Sequence, residues 1–516
     1  MLIHLAFFGY LCCTASLAAS PCVARDYQHG SVVCVCNSTY CDTVQPITAQ
    51  QLAGRTLRHY VSSKAGKRFS AMDMSFSDSV ENPAAGAESP LSFSVDRNQR
   101  HQEVLGFGGA ITDSAGFNIK SLTATLQEQL LRAYFAPEGI GYTFLRVPVA
   151  GCDFSLRYYE YDDDHPGDGQ LRYFNLTVED YLYKMPVIRR AQELSNSSVK
   201  LFSAPWSAPD WMKNINSTTL ASRLKKEYYA SWANYYVKFL RAYEQHGLDF
   251  WGVTPHNEPL ANGYYTGNWN TMGWEPADLR DWFAGHLRPA LAAAGFGRLK
   301  VMVGDDARGT VGLFADLHFG NETVKDMAEG VAYHWYDENS DNLKLLGRVH
   351  DLYPDKFLLP TEACYLSGGT DGVRLGFWDR AAKYATSIIE NLNNWASGWV
   401  EWNLALNTDG GPSWYGNSAD SPVIIHKTTD EFYKQPMFYA IGHFSAFVPP
   451  GSRRMGLRAA SGGSSLEAVA FLRPDNVTVV VFHNAETSPR QVILKDAAKG
   501  EVMLKIEAES INTILY

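Results

Sequence analysis

Short apolar runs alternate along the chain with longer stretches whose apolar residues recur at helical spacing. The runs are VLGFGGA (104–110), YTFLRVPVA (142–150), VKLFSAP (199–205), FWGVTP (250–255), KVMVGD (300–305), VAYHWY (331–336), KFLLPTE (356–362) and GWVEWN (398–403). Helical patterns lie between most of them, among them TATLQEQLLRAYF (123–135), YYASWANYYVKFLRAYEQH (228–246) and DRAAKYATSIIENL (379–392). A short run that is apolar throughout fits a strand covered on both faces, the habit of parallel sheets. Eight such strands separated by helices predict a (β/α)8 TIM barrel, and a span of about 300 residues is within that fold's range. A doubly wound sheet would need fewer strands and a phosphate loop.

The tail has another period. LEAVAFLRP, NVTVVVFHN, RQVILKD and EVMLKIEA, within 466–508, are short, often alternating and separated by turn residues. They predict an antiparallel β-domain. Residues 50–100 hold similar pieces, such as SFSVDRN. The expected organisation is an α/β chain with four parts. Residues 1–18 are a signal peptide. Residues 19–49 form a cysteine-bearing segment that packs with a sheet from about 404–435. Residues 50–100 and 452–516 together make an associated β-sandwich, and 101–403 with 436–451 make the barrel.

Composition narrows the class. A formal net charge of −10 argues against nucleic acid as a partner. Aromatic residues reach 13%, which suits a sugar cleft, because aromatic faces cover the C–H faces of pyranose rings. The start, MLIHLAFFGYLCCTASLA, reads as a secretory signal cut after Ala18, and no later run is long enough to span a membrane. Cys22, Cys34, Cys36 and Cys41 crowd into the first mature segment. In a secreted chain they predict two disulfides, with three connectivities open. Cys34-Val35-Cys36 lacks the usual zinc-knuckle spacing. Sequons at Asn37, Asn175, Asn196, Asn216, Asn321 and Asn476 are glycosylation candidates. Protonation of exposed histidines among the fourteen present is expected to bring the net charge towards zero near pH 5, easing approach to anionic lipid.

Catalytic groups in such a barrel stand at the C-terminal strand ends. Glu258, in VTPHNEPLANG (253–263), follows the fourth strand and Glu362 ends the seventh, on opposite sides of the mouth. Two carboxyl groups about 5–5.5 Å apart serve a retaining glycosidase, with one as acid/base and the other as nucleophile. Asn257 beside the acid suits a sugar 2-OH. Glu401 shares the eighth strand with Val400 and Trp402 but alternates to the opposite side, which predicts a structural role. His256 is expected to be structural too. No metal or cofactor motif appears, and GFGGAI lacks the third glycine of a dinucleotide loop.

Beyond this reading, the ordered set SVVCVCNSTYCD (31–42), GFGGAITD (106–113), RVPVAGCDFS (146–155), APWSAPDWMK (204–213), NEP (257–259), HWY (334–336), TEAC (361–364), WNLALNTDGGPSW (402–414) and FYKQPMFYAIGHFS (432–445) resembles the glucosylceramidases of glycoside hydrolase family 30. The resemblance covers nearly the whole chain after the signal. It implies a retaining exo-β-glucosidase that hydrolyses glucosylceramide to glucose and ceramide, with Glu258 as acid/base and Glu362 as nucleophile. It implies that Asp153, Trp206, Asn257, Trp402 and Asn417 bind the glucosyl unit, and that Tyr336 lies beside the nucleophile with His334 nearby. It pairs Cys22 with Cys34 and Cys36 with Cys41, leaving Cys152 and Cys364 as thiols. It implies lysosomal residence, with secretion as the alternative, and a saposin-type activator. A β-1,6-glucanase or β-xylosidase type is the alternative activity. Pro255-His256 and the loops after Glu258 and Glu362 depart from the family pattern, which leaves aglycone preference open.

Overall fold

The structure is a computed structural model that describes residues 19–45, 47–80, 89–196, 198–215, 222–260, 269–366, 372–460 and 466–516. The signal peptide, the sequon at Asn216 and much of the loops after Glu258 and Glu362 lie outside the described residues.

Eight parallel strands form the barrel: β1 (Gly106–Ala110), β2 (Phe144–Val149), β3 (Lys200–Pro205), β4 (Phe250–Val253), β5 (Lys300–Ala307), β6 (Gly330–His334), β7 (Phe357–Glu362) and β8 (Gly398–Asn403). Neighbours pair in sequence order, and β8 pairs with β1. The circle closes between β7 and β8 through a parallel bridge at Leu358 and Ala396, with Ser397 N–H donating to Leu358 O at 2.8 Å. Glycines set the strand spacing here. A Cβ on Gly108 would fall 2.1 Å from Phe144 O, and one on Gly398 would fall 2.0 Å from Gly106 O. GFGGAI is therefore a close-packing motif.

Inward-facing Phe144, Phe202, Met302, Ala332, Leu359 and Val400 fill the barrel axis as one buried cluster. Because side chains alternate along a strand, the residues two further on point the same way, one layer nearer the C-terminal mouth. That next layer includes Arg146, Thr361 and Trp402. An apolar floor thus carries polar and aromatic groups above it.

Both flanks build a nine-stranded sheet in which Thr56–Ser63, Ser70–Ser75 and Leu91–Glu103 join six strands from Arg453–Leu515. The sheet curls over its own apolar core, and its two edges meet where Ser77 and Glu501 exchange backbone hydrogen bonds of 2.9 and 2.8 Å. Val32–Cys36 pairs with Ala24–Asp26 on one side and with Glu431–Lys434 on the other, and the sheet continues through the latter to Val423–His426 and Leu406–Asn407. Disulfides join Cys22 to Cys34 and Cys36 to Cys41, while Cys152 and Cys364 are buried thiols. Of the described sequon asparagines, Asn175, Asn196 and Asn476 are exposed, and Asn37 and Asn321 are half-buried.

Candidate active site

The ends of β2, β4, β5, β6 and β7 converge on one group of ionisable side chains. Arg146 of β2 is 0% exposed, a position an unpaired guanidinium could not hold. Its Nη1 donates to Glu362 Oε2, and its Nη2 donates to Asn257 Oδ1 at 2.7 Å and Asp305 Oδ2 at 2.9 Å. Removing one partner of a buried pair costs about 3–5 kcal/mol, so these contacts specify the strand ends. Burial alone would lower the Arg146 pKa, but the Asp305 and Glu362 charges outweigh it and raise it.

Backbone irregularities aim the carboxylates. A bulge in β5 between Gly304 and Asp306 leaves Asp305 at φ 62°, and Glu258 sits at φ 44° beyond β4. Such conformations are uncommon outside glycine and need support from the surrounding structure. Glu258 N–H donates to Asp305 O at 2.8 Å, and Asn257 N–H to Pro205 O at 2.9 Å. Pro259 then carries the chain into the rim.

His334 ends β6 between the two carboxylates. Its Nδ1 lies 2.9 Å from Glu258 Oε1 and 3.8 Å from Glu362 Oε1, and its Nε2 lies 3.2 Å from Asp305 Oδ1. Burial would lower its pKa. The Glu362 charge, the hydrogen bonds to Asp305 and Glu258, and the Asp305 charge override that and lift it to about 10. His334 is therefore an imidazolium that donates through both nitrogens. One oxygen of Glu258, one of Glu362 and one His334 nitrogen all lie within 4.8 Å of one another. Three such groups could ligate a metal, provided the ring gave up the proton on the nitrogen that bound it. Cys36, Cys41 and Asp42 form a similar trio, and there the disulfide has consumed both sulfurs.

Tyr336 donates its hydroxyl to Glu362 Oε1 at 2.7 Å, and that hydroxyl is 3.3 Å from Cys364 Sγ. Glu362 is thereby held by one donor on each oxygen. Asp153 and Asn417 come together, with Asn417 Nδ2 donating to Asp153 Oδ2 at 3.0 Å. Burial, and then the Glu362 charge, push the Asp153 carboxyl up to about 7 against the pull of Asn417.

Trp206 and Trp402 do not present open faces to the site. Trp206 and Trp402 are 2% and 1% exposed and stack on each other at 5.1 Å, with the Arg146 guanidinium 4.9 and 5.3 Å from their ring centres. Their faces are spent on each other and on that cation. Neither indole N–H has a hydrogen-bond partner among the described residues, and neither is among the solvent-sealed polar atoms.

Glu401 points away from this group and accepts a hydrogen bond from Tyr384 on helix Trp378–Asn393 at 3.1 Å. Burial pushes its carboxyl well above the usual range. His256 sits 2.6 Å from Asn257 O, and burial lowers its ring to about 4, so it is a neutral local brace.

Arg146, Asp305, Thr254 and Thr361 were absent from the residues singled out by sequence. Thr254 and Thr361 donate to Asp305 at 2.7 and 2.6 Å. The usable signal was an ionisable residue inside or closing an otherwise apolar strand, as in YTFLRVPVA and KVMVGD. Such a group has to be paired.

Comparison with known proteins covers nearly the whole chain. The Glycosyl hydrolase family 30 TIM-barrel domain matches residues 104–448, and the family 30 beta sandwich domain matches 451–514. The chain is 40% identical to the lysosomal acid glucosylceramidase of Mus musculus over 517 residues, covering 99% of this chain and 98% of that protein. It is 27% identical to an endo-1,6-beta-D-glucanase of Trichoderma harzianum over 459 residues, covering 84% and 89%. The crystal structure of SrfJ from Salmonella typhimurium superposes with a TM-score of 0.80 at 28% identity, covering 89% of this chain and 99% of that one.

Proposed function

The chain belongs to glycoside hydrolase family 30, and from that premise we propose that it is a retaining exo-β-glucosidase acting on glucosylceramide in the lysosome. The observation that carries the reading is the approach of Glu258 and Glu362 to within 4.8 Å across the barrel mouth, the spacing class of double displacement. Glu362 attacks the anomeric carbon as that carbon's bond to the ceramide oxygen breaks, and Glu258 delivers its proton to the departing oxygen. Glu258 then takes a proton from water as the water displaces Glu362, and two inversions leave β-glucose. Arg146 and Tyr336 fix the attacking carboxylate, and His334 fixes the acid. Asp153, Asn417, Asn257 and the two indole N–H groups hold the glucosyl hydroxyls.

Similarity to a glucosylceramidase over full length favours the lipid aglycone. The surface agrees. Of the eleven large apolar side chains most exposed among the described residues, eight lie on segments that follow barrel strands at the mouth, including Tyr181, Leu182, Ile215, Leu313 and Leu366. Exposed apolar side chains on these segments suit a substrate drawn from a bilayer, and no described helix is long and apolar enough to cross a membrane. The family resemblance adds a saposin-type activator as a partner, and acid-side loss of negative charge adds anionic lipid. Histidine titration contributes less than composition implied. Burial holds His256 and His318 near 4 and His443 near 3, and His334 is already charged at neutral pH. Part of the acid-side charge change comes instead from Asp153 at about 7 and Asp163 and Asp306 at about 6, all raised chiefly by burial.

The test is incubation at pH 5 with glucosylceramide in phosphatidylserine-containing vesicles. Ceramide and initially β-configured glucose are expected. Turnover of β-1,6-glucan or a β-xyloside without ceramide release would instead select the alternative family activity.

Asp153 gives a pH-dependent prediction. At pH 5, two units below about 7, roughly 99% of its carboxyl is protonated, while above pH 7 it is an anion. Hydrogen bonds to a charged acceptor are worth about 1.5–3 kcal/mol, against about 0.5–1.5 for neutral ones. Asp153→Asn is thus expected to lower kcat/KM, relative to the unaltered enzyme, about tenfold more at pH 7.5 than at pH 5. Equal losses at both pH values would contradict the assignment.

A further inference from the structure

Asp305 touches neither the space between the two carboxylates nor the glucosyl-binding groups, yet no side chain in the site holds more of the others. It is fully buried on β5. Oδ2 accepts from Arg146 at 2.9 Å and Thr254 at 2.7 Å, and Oδ1 accepts from His334 at 3.2 Å and Thr361 at 2.6 Å. Its backbone carbonyl accepts the Glu258 N–H. Each carboxylate oxygen therefore binds one cation. Arg146 is the cation that holds Glu362, and His334 is the cation that holds Glu258.

We infer that Asp305 is a positioning residue that links nucleophile and acid/base into one charge-ordered unit, through Arg146 on one side and His334 on the other. The inference rests on the assignment of Glu258 and Glu362 made above. Its logic is charge alternation: Glu362, Arg146, Asp305, His334 and Glu258 form a chain of neighbouring groups in which each cation lies between carboxyl groups. Asp305 is the anion that lets two cations share a buried site. Burial would raise its pKa, but the Arg146 charge and the His334 hydrogen bond and charge hold it well below the usual carboxylate range. The other titratable groups within electrostatic reach are Asp306 near Glu258 and His334, the neutral His256, and the Tyr236 phenol. Of these only Asp306 offers a nearby carboxylate charge, and its oxygens accept from Leu260 N–H and Ala307 N–H, not from the His334 ring.

Without Asp305, the His334 ring loses one of the hydrogen bonds and one of the charges that keep it protonated. As it becomes neutral, it can no longer donate from both nitrogens. Asp305→Asn is therefore expected to lower kcat on an aryl β-glucoside about 10²-fold, the scale of a misplacement of reacting groups by about 1 Å, with KM changed less than about threefold. It is also expected to move the alkaline limb of kcat/KM, set by the Glu258 acid, to higher pH, because Glu258 loses its cationic neighbour. The histidine imidazolium signal that Asp305→Asn loses in ¹⁵N NMR should be the signal missing in His334→Gln.

Thr254→Val supplies a variant that keeps the Asp305 charge and removes one of the two hydrogen bonds to Oδ2. It should lose kcat several-fold with the alkaline limb unmoved. An unmoved limb in folded Asp305→Asn would overturn the inference, as would a limb shift in Thr254→Val equal to that in Asp305→Asn. Labelling by a 2-fluoro-β-glucoside separates this from the underlying assignment. If the unaltered enzyme is not labelled on Glu362, the site reading fails. If it is labelled and Asp305→Asn keeps its normal pH profile, only the Asp305 role fails.

Discussion

Replacing Glu362 by Gln should lower kcat by about 10⁴-fold or more, the scale on which loss of a covalent nucleophile acts. The substitution keeps size and one acceptor, so Arg146 and Tyr336 retain something to hold and the fold should survive. What disappears is the oxygen that forms the bond to the anomeric carbon. A smaller side chain sharpens the test. Glu362→Gly leaves space on the nucleophile's side of the sugar, where added azide can attack while Glu258 still protonates the leaving group. One displacement in place of two inverts the anomeric centre, so the product should be α-glucosyl azide. Mass spectrometry and the anomeric proton coupling identify it. A β-azide from this variant would mean that the nucleophile lies elsewhere.

The barrel was legible because its strands are buried on both faces. That makes each one a compact apolar block, and eight blocks separated by helical patterns leave few alternatives. The strand count then placed Glu258 and Glu362 on the same end, since both stand at the C-terminal limit of their runs. What could not be read was how the side chains spend their valences. Trp206 and Trp402 looked like platforms because their motifs are aromatic and near the mouth, but only three dimensions show them stacked on each other. Arg146 was hidden for a related reason. Within YTFLRVPVA it looks like an interruption of a hydrophobic run, and its meaning depends on partners 111, 159 and 216 residues away. Asp305 was hidden by a bulge that no composition rule announces. Glu401 was legible because period-two alternation alone separates it from Trp402.

Glu258 should behave differently from Glu362, and the difference depends on the leaving group. General acid assistance is worth about 10²–10⁴-fold, but only when the departing oxygen needs a proton. Ceramide leaves as a poor alkoxide, so Glu258→Ala is expected to lose about 10³-fold or more on glucosylceramide. A dinitrophenolate leaves without help, so glycosylation of Glu362 by the dinitrophenyl β-glucoside should stay fast. Hydrolysis of the glucosyl-enzyme then lacks its base, and the intermediate should accumulate, visible as an initial burst of phenolate and as protein mass increased by one glucosyl unit. Azide needs no base, so it should accelerate turnover and capture the sugar after the second displacement as β-glucosyl azide. The two variants thus yield opposite anomers from the same nucleophile, because one uses a single inversion and the other uses two. Equal loss on the aryl glucoside and on glucosylceramide, with no burst, would remove Glu258 from the acid/base role and leave it as a structural partner of His334.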